Sequence, residues 1–337
     1  MKLRQVGRNE DAGDTPRLSV VSPCFNEEEV LPEFHRRLSA ACAAVGGTYE
    51  IVLVNDGSRD GTAAILDGLA ARDPHVVAVH LSRNHGHQLA LTAGLSTCRG
   101  EYVLAIDADL QDPPELIGRM LERCAAGADV VYGQRRQRAG ETLFKKVTAH
   151  WFYRTLDALT DTTIPRDTGD FRLMSRRAVD WLLEMPERHR FVRGMVAWIG
   201  FRQEPIVYDR DPRFAGESKY PLRRMLKLAV DAITGFSTKP LLLAGHLAAA
   251  SGAAGLACAV YATVAGLCGF AGAGWAALAA VACTLAAFQF AVLLIQGQYL
   301  GRLYEESRGR PLFIIDRIEG RHEAGLTLPA PSVRRAA

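Results

Sequence analysis

Between Lys239 and Arg302 the chain contains no Asp, Glu, Lys or Arg, and His246 is the one residue there able to gain a charge near neutral pH. These 62 residues are too many for one membrane span and suit two helices of about 20 residues with a turn between them. The glycine-rich stretch Gly266–Gly274 (GLCGFAGAG) supplies the turn and places the spans near Leu241–Ala265 and Trp275–Tyr299. A helical hairpin buried in a water-soluble core has the right length too, but such helices normally keep charges on one face, and here there are none. Arg223, Arg224, Lys227 and Lys239 precede the first span, Arg302, Arg308 and Arg310 follow the second, and the turn has no basic residue. The positive-inside rule then puts both ends in the cytosol. The expectation is a multi-pass protein of the inner (cytoplasmic) membrane whose large N-terminal half is cytosolic.

The remaining composition narrows the function classes. A net charge of +3 over 337 residues, without a basic run interleaved with aromatics, speaks against nucleic acid as a partner. The seven cysteines form no Cys-x-x-Cys pair and no Cys/His cluster of zinc spacing, and read as reduced, mostly buried thiols. Residues 1–16 are polar, lack a secretory h-region and read as a flexible tail. Residues 17–219 read as the catalytic domain, 220–239 as an interfacial helix, 240–301 as the two spans and 302–337 as a cytosolic tail. In Tyr220–Phe236 (YPLRRMLKLAVDAITGF), Leu222, Met225, Leu226, Ala229, Ile233 and Phe236 recur at helical spacing while Arg223, Arg224 and Lys227 take other faces. That is the pattern of a basic amphipathic helix at a lipid surface. Phe144–Leu159 has a similar but weaker mix, equally suited to an ordinary packing helix.

The N-terminal half alternates short apolar runs with helical patterns. Strands are expected at Leu18–Ser22, Glu50–Val54, Val76–Leu81, Tyr102–Ile106 and Val130–Tyr132. Helices are expected from near Glu28, after Asn55-Asp56-Gly57-Ser58 with Ser58 or Asp60 as cap, over Gln88–Ser96, and from Pro113-Pro114-Glu115. Strands alternating with helices imply βαβ units and a mostly parallel, Rossmann-like α/β sheet. In such sheets ligands bind beyond the carboxyl ends of strands, where Pro23, Asp56 and Asp107 fall. The sequence has no Gly-x-Gly-x-x-Gly and no P-loop, which argues against dinucleotide and Walker-type sites.

Asp107 and Asp109 stand two apart at a strand end, so in extended chain they point to one side. Two carboxylates held together repel unless a cation joins them. A hard divalent ion takes one or two carboxylates plus diphosphate oxygens and would neutralise charge growing on a departing nucleoside diphosphate. Alone, the pair could equally be surface acids. It does not stand alone: Ser22-Pro23-Cys24-Phe25-Asn26-Glu27-Glu28, Val54-Asn55-Asp56-Gly57-Ser58-Arg59-Asp60-Gly61-Thr62 and Asp107-Ala108-Asp109-Leu110-Gln111-Asp112-Pro113-Pro114-Glu115 follow three of the strands. Asp167-Thr168-Gly169-Asp170-Phe171-Arg172-Leu173 and Arg213-Phe214-Ala215-Gly216-Glu217-Ser218-Lys219-Tyr220 come later. In this order and spacing, over about residues 18–318, the chain resembles family 2 glycosyltransferases of the GT-A fold. Within them it resembles the polyprenyl-phosphate branch, dolichol-phosphate mannose synthases and bactoprenol glucosyltransferases.

The resemblance implies a nucleotide-sugar donor, a polyprenyl phosphate acceptor in the membrane and a Mg²⁺ or Mn²⁺ cofactor. By that resemblance Pro23, Phe25, Glu27 and Asp56 would hold the nucleoside, Phe25 standing where many members have Tyr. Asp107 and Ala108 would meet the nucleotide, and Asp107, Asp109 and Gln111 the metal. Arg135 and Arg172 would face the acceptor phosphate, with Asp170 near metal and acceptor. Arg136 and Arg138 read equally well as a solvated patch. Arg213, Ser218 and Lys219 would clamp the diphosphate, completing a catalytic set of Asp107, Asp109, Asp170, Arg213 and Lys219.

A phosphate monoester has a second pKa of about 6, so the acceptor arrives ionised and needs no strong general base. One in-line displacement would invert the anomeric centre. UDP-glucose is the first expectation for the donor. GDP-mannose, a UDP-N-acetylhexosamine and a UDP-aminoarabinose-type donor stay open, as does a non-catalytic scaffold binding nucleotide sugar or lipid. A processive synthase is disfavoured because the chain has no Arg-Trp pair. The Gly- and Ala-rich spans would permit a homo-oligomer, and a flippase would be a natural pathway partner.

Overall fold

The computed structural model describes residues 15–136, 168–209, 239–268 and 274–320. Phe144–Leu159, Arg213, Ser218, Lys219, the amphipathic segment Tyr220–Phe236, most of the tail at 1–16, Arg138 and residues 321–337 lie outside them.

The chain divides into two compact units. The first holds eight described strands: β1 Leu18–Cys24, β2 Tyr49–Asn55, β3 Val76–Leu81, β4 Tyr102–Ala105, β5 Val130–Arg135, β6 Thr168–Ser175, β7 Gln203–Tyr208 and β8 Ile315–Gly320. Its helices are α1 Leu31–Val45, α2 Thr62–Arg72, α3 His87–Thr97, α4 Ile117–Ala125, α5 Arg176–Glu184 and α6 Val192–Ile199. The strands form one sheet in the order β7-β5-β6-β4-β1-β2-β3-β8. β1–β2, β1–β4, β2–β3 and β5–β7 pair in parallel, and β4–β6, β5–β6 and β3–β8 antiparallel. The sheet is therefore mixed, with its parallel part where the sequence places it.

The continuous apolar runs of β1–β3 reflect cover on both faces. One face packs Leu18, Val20, Ile51 and Leu53 against Leu31, Phe34 and Leu38 of α1, Leu66 of α2 and Ile117 and Met120 of α4. On the other, α3 presses close enough that a side chain at Gly94 would strike Val21 Cγ1. Each fully buried Leu or Phe there contributes about 1.5–3 kcal/mol. At the strands' N-terminal ends, Ser19 Oγ donates to Glu50 Oε1 at 2.5 Å, and the Arg99 N–H donates to the same oxygen at 2.6 Å.

Several boundaries differ from expectation. α1 starts at Leu31, not Glu28, because Glu28 is engaged elsewhere: its carboxylate accepts from Gly61 N and its N–H donates to Asp60. Pro113–Glu115 leads into a 3₁₀ turn, Pro114–Leu116, before α4 begins. Asp60 Oδ1 accepts from Thr62 N at the head of α2, whereas Ser58 Oγ accepts from Asn26 N. Ile315–Gly320, within the stretch read as a tail, is the edge strand β8.

The second unit holds α7 Lys239–Leu267 and α8 Gly274–Ser307. Both are long and apolar enough to cross a membrane, over Pro240–Tyr261 and Val281–Ser307. Leu242, Leu256, Val260 and Leu294 are exposed on them. The two helices lie against each other where a Cβ added at Gly255 of α7 would meet Leu285 Cδ1 of α8 at 3.7 Å, an ordinary van der Waals contact.

Candidate active site

The carboxyl ends of β1, β2, β3 and β4 deliver their following loops to one rim of the sheet. At the first two, Asp56 N–H donates to Cys24 O at 2.9 Å, joining the Pro23–Phe25 turn to Asn55–Gly57. Pro23 is buried, Glu27 half-buried, and Phe25 keeps 43% of its surface open. Asp56 is buried, and its carboxylate accepts from the backbone N–H of His85 at 2.6 Å and of Gly86 at 2.9 Å. It therefore anchors the loop after β3. Burial raises its carboxyl, and those two hydrogen bonds counteract the rise. Gly57 stands at φ 65°, and a Cβ there would lie 2.5 Å from Asn84 N, so the same loop requires glycine.

β4 ends at Ala105, before Asp107. The antiparallel register pairs Ala105 with Arg172 of β6. Two more steps along that register set Asp107 against Asp170. His87, the first residue of α3, completes the group, with Nε2 3.1 Å from Asp170 Oδ2 and 3.4 Å from Asp107 Oδ1. One ligand atom from each of His87, Asp107 and Asp170 lies within 4.8 Å of the others. Asp109 stands on the turn beyond, where its Oδ1 accepts from Gln111 N at 3.1 Å. Leu110 between them is buried with φ 57°, and Ala108 is also buried. A leucine in that left-handed conformation costs of order 1–3 kcal/mol, so the surrounding structure imposes this turn.

Asp170 is heavily partnered. Besides His87, Gln88 Nε2 donates to its Oδ2 at 2.8 Å, Arg193 Nε lies 3.3 Å from Oδ1, and Arg172 Nη2 3.9 Å from the same oxygen. Burial would raise this carboxyl, but Arg193, His87 and Arg172 outweigh it and hold it far below the carboxylate range. Asp107 goes the other way. Burial pushes it up to about 6, His87 pulls against that, and the charges of Asp170, Asp112 and Asp109 add to it. Enclosure alone would lower His87; the bond to Asp170 and the two carboxylate charges carry it up to about 9. Burial brings Arg172 down to about 10, opposed by Asp170.

Arg135, at the end of β5, lies 3.8 Å from Asp112 Oδ1, and its Nε donates to the Tyr208 hydroxyl at 3.5 Å. Tyr208 in turn donates to Asp112. A side chain at Gly169 would meet Arg135 Nη2 at 2.9 Å. The structure thus gathers Asp107, Asp170 and Arg172 into one cluster with Arg135 beside Asp112, and sets Pro23, Phe25, Glu27 and Asp56 around the ends of β1 and β2. Arg213, Ser218 and Lys219 lie outside the described residues.

Four further residues join the site. His87 and Gln88 had a readable signal, since Asn84-His85-Gly86-His87-Gln88 follows β3 at the same rim. Asp112 lies within a motif already singled out. Arg193 had no such signal.

A rim of paired acids and arginines of this kind does not name its own chemistry, and comparison with known proteins does. The model for "Glycosyl transferase family 2" matches residues 19–183. The glycosyltransferase YkcC of Bacillus subtilis is 44% identical over 90% of this chain and 94% of its own. The chain belongs to glycosyl transferase family 2. The prophage bactoprenol glucosyl transferase homolog of Escherichia coli is 36% identical over 90% of this chain and 99% of its own. The bactoprenol glucosyl transferase of Shigella phage SfV is 36% identical over 89% and 98%. This glycosyltransferase thus has the GT-A fold, and its likeness to those relatives runs well beyond the matched family segment.

Proposed function

We propose that this glycosyltransferase moves glucose from UDP-glucose onto polyprenyl (undecaprenyl) phosphate at the cytosolic membrane face, inverting the anomeric centre. The observation that carries the reading is the alignment with bactoprenol glucosyl transferases over 89% of the chain, a length that includes both apolar helices. A phosphate oxygen of the acceptor attacks C1 of the sugar, the bond from C1 to the diphosphate breaks, and nucleoside diphosphate leaves.

The site's electrostatics support an acceptor that arrives as an anion. Asp170, held ionised by its cationic neighbours, is a weak base. Arg172 and Arg193 beside it, with Arg135 nearby, supply the positive field that brings two anionic substrates together. Pro23, Phe25, Glu27 and Asp56 serve the nucleoside end, and Arg213, Ser218 and Lys219 the diphosphate.

A divalent cation fits the donor set. Asp107 Oδ1 is buried and takes no hydrogen bond among the described residues, and carboxylate oxygens suit Mg²⁺ or Mn²⁺. Asp107 with Asp109 and Gln111 would hold the ion, which when bound supplies charge neutralisation on the leaving diphosphate.

The test is transfer of radiolabelled sugar to short-chain polyprenyl phosphate from UDP-glucose, GDP-mannose and UDP-N-acetylglucosamine, with Mn²⁺ or Mg²⁺ and with EDTA. Label in the lipid fraction from UDP-glucose, lost with EDTA and in Asp109→Ala, is the expected result. Label from another donor corrects the sugar. No lipid label from any donor defeats the reading.

A further inference from the structure

We propose that Gln88 is a positioning residue for this transfer: its amide ties the Asp170 carboxylate to the head of α6 and so fixes the guanidinium groups beside the acceptor phosphate. The inference rests on the function proposed above.

Gln88 makes two hydrogen bonds to parts of the chain remote in sequence. Its Nε2 donates to Asp170 Oδ2 at 2.8 Å, and its Oε1 accepts from Val192 N at 2.9 Å. Exchanging the amide's oxygen and nitrogen would set a carbonyl against a carboxylate and an NH₂ against an N–H. Only one orientation therefore satisfies both ends. α3, β6 and the first turn of α6 are joined through this one side chain.

The bond to α6 fills a real vacancy in that helix. Val192 N is one of the donors a helix leaves unsatisfied in its first turn, and Phe191, at the cap position, provides no side-chain bond. The next residue, Arg193, places Nε 3.3 Å from Asp170 Oδ1 and donates from Nη1 to Thr168 O at 2.9 Å. Arg193 directly, and Gln88 through its bond to Val192, thus tie the two oxygens of Asp170 to neighbouring points of one helix head. A shift of that head would move carboxylate and guanidinium together. Gln88 does this without charge, so it fixes Asp170 while leaving the balance between acids and arginines unaltered.

Three variants separate this role from mere packing. Gln88→Met removes both bonds at similar length. Gln88→Glu keeps the acceptor for Val192 N and loses the donor to Asp170. Val192→Pro removes the N–H that Gln88 accepts from, at a first helical position where proline fits, and exchanges the buried isopropyl group for a ring of similar size. Phe191 before it, at φ −119° and ψ 85°, is already outside the helical region that a following proline disfavours.

In steady-state kinetics of the full chain, with Mn²⁺–UDP affinity and melting measured alongside, both Gln88 variants are expected to lose kcat about 10- to 100-fold. UDP affinity should stay within about twofold of wild type, and Val192→Pro should lose kcat at least about threefold. A folded Gln88→Met with kcat within about twofold of wild type overturns the inference. Should that variant not fold, an unaltered kcat in Val192→Pro overturns it equally. A wild type inactive with every donor defeats the transfer reading and this one with it; an active wild type with indifferent variants defeats this one alone.

Discussion

Asp107 belongs to two candidate ligand sets, one with Asp109 and Gln111, the other with His87 and Asp170. The hydrogen bonds favour the first. Asp170 Oδ2 already accepts from His87 and Gln88, and its Oδ1 faces Arg193 and Arg172. A carboxylate so engaged has little left to give a metal, and the neighbouring guanidinium charges repel a cation. Mn²⁺ titration followed by electron paramagnetic resonance should show Asp109→Ala weakening binding by more than about tenfold, the scale seen when a metal's supporting groups are lost. His87→Ala should stay within about threefold. The reverse ranking would assign the ion to His87, Asp107 and Asp170. The sequence shows the Asp107–Asp109 spacing but hides what Asp170 does, because two of its partners, His87 and Gln88, stand 83 and 82 positions away along the chain.

Among elements, β8 is the one least expected and the one most open to pH. His80 on β3 lies 2.9 Å from Asp67 of α2, and Arg317 of β8 donates to the same carboxylate at 2.6 Å. Burial lowers the His80 imidazole below its ordinary value, and the charge of Arg317 lowers it further, against the pull of Asp67. Above about pH 6.5 His80 is neutral in both folded and unfolded chains and contributes nothing. As pH falls from there through the folded value, the unfolded chain takes up a proton that the folded one refuses, and stability is lost. Arg317→Gln should move the His80 NMR titration upward toward 6.5; a wild-type midpoint already at or above that value would refute the account.

A second element-scale prediction concerns α5. Buried Arg190 donates to Leu182 O at 2.5 Å and Met185 O at 2.9 Å, satisfying carbonyls at that helix's end. Arg190→Leu should cost about 1–3 kcal/mol in denaturant unfolding, and an unaltered midpoint would count against it. β1–β5 are legible in the sequence because they are short apolar runs. β6 is not, since Asp170 and Arg172 interrupt it to serve the site. β7 with Glu204 and Pro205, and β8 with Asp316, Arg317 and Glu319, carry what sheet edges tolerate and read as loop or tail.

For the whole molecule, the chain's own cysteines can report which way the two apolar helices face. Cys24, Cys42, Cys98 and Cys124 are buried in the sheet unit. Burial raises the first out of reach and pushes the others up to about 12, 11 and 12 in turn. A thiol with so little thiolate near pH 8 is inert to maleimide. Cys258 and Cys283 lie within α7 and α8, where lipid would exclude a charged reagent. Cys268 follows the end of α7, beside the glycine-rich turn, and is exposed. With basic residues flanking both helices and none in the turn, the turn should face away from the cytosol. A membrane-impermeant maleimide added to right-side-out spheroplasts should therefore label the protein, and Cys268→Ser should abolish the label. Labelling that appears only after the membrane is opened would invert the topology. It would also place the sheet unit, with Asp107, Asp170 and their arginines, on the side of the membrane away from a cytosolic nucleotide sugar, which the proposed reaction cannot accommodate.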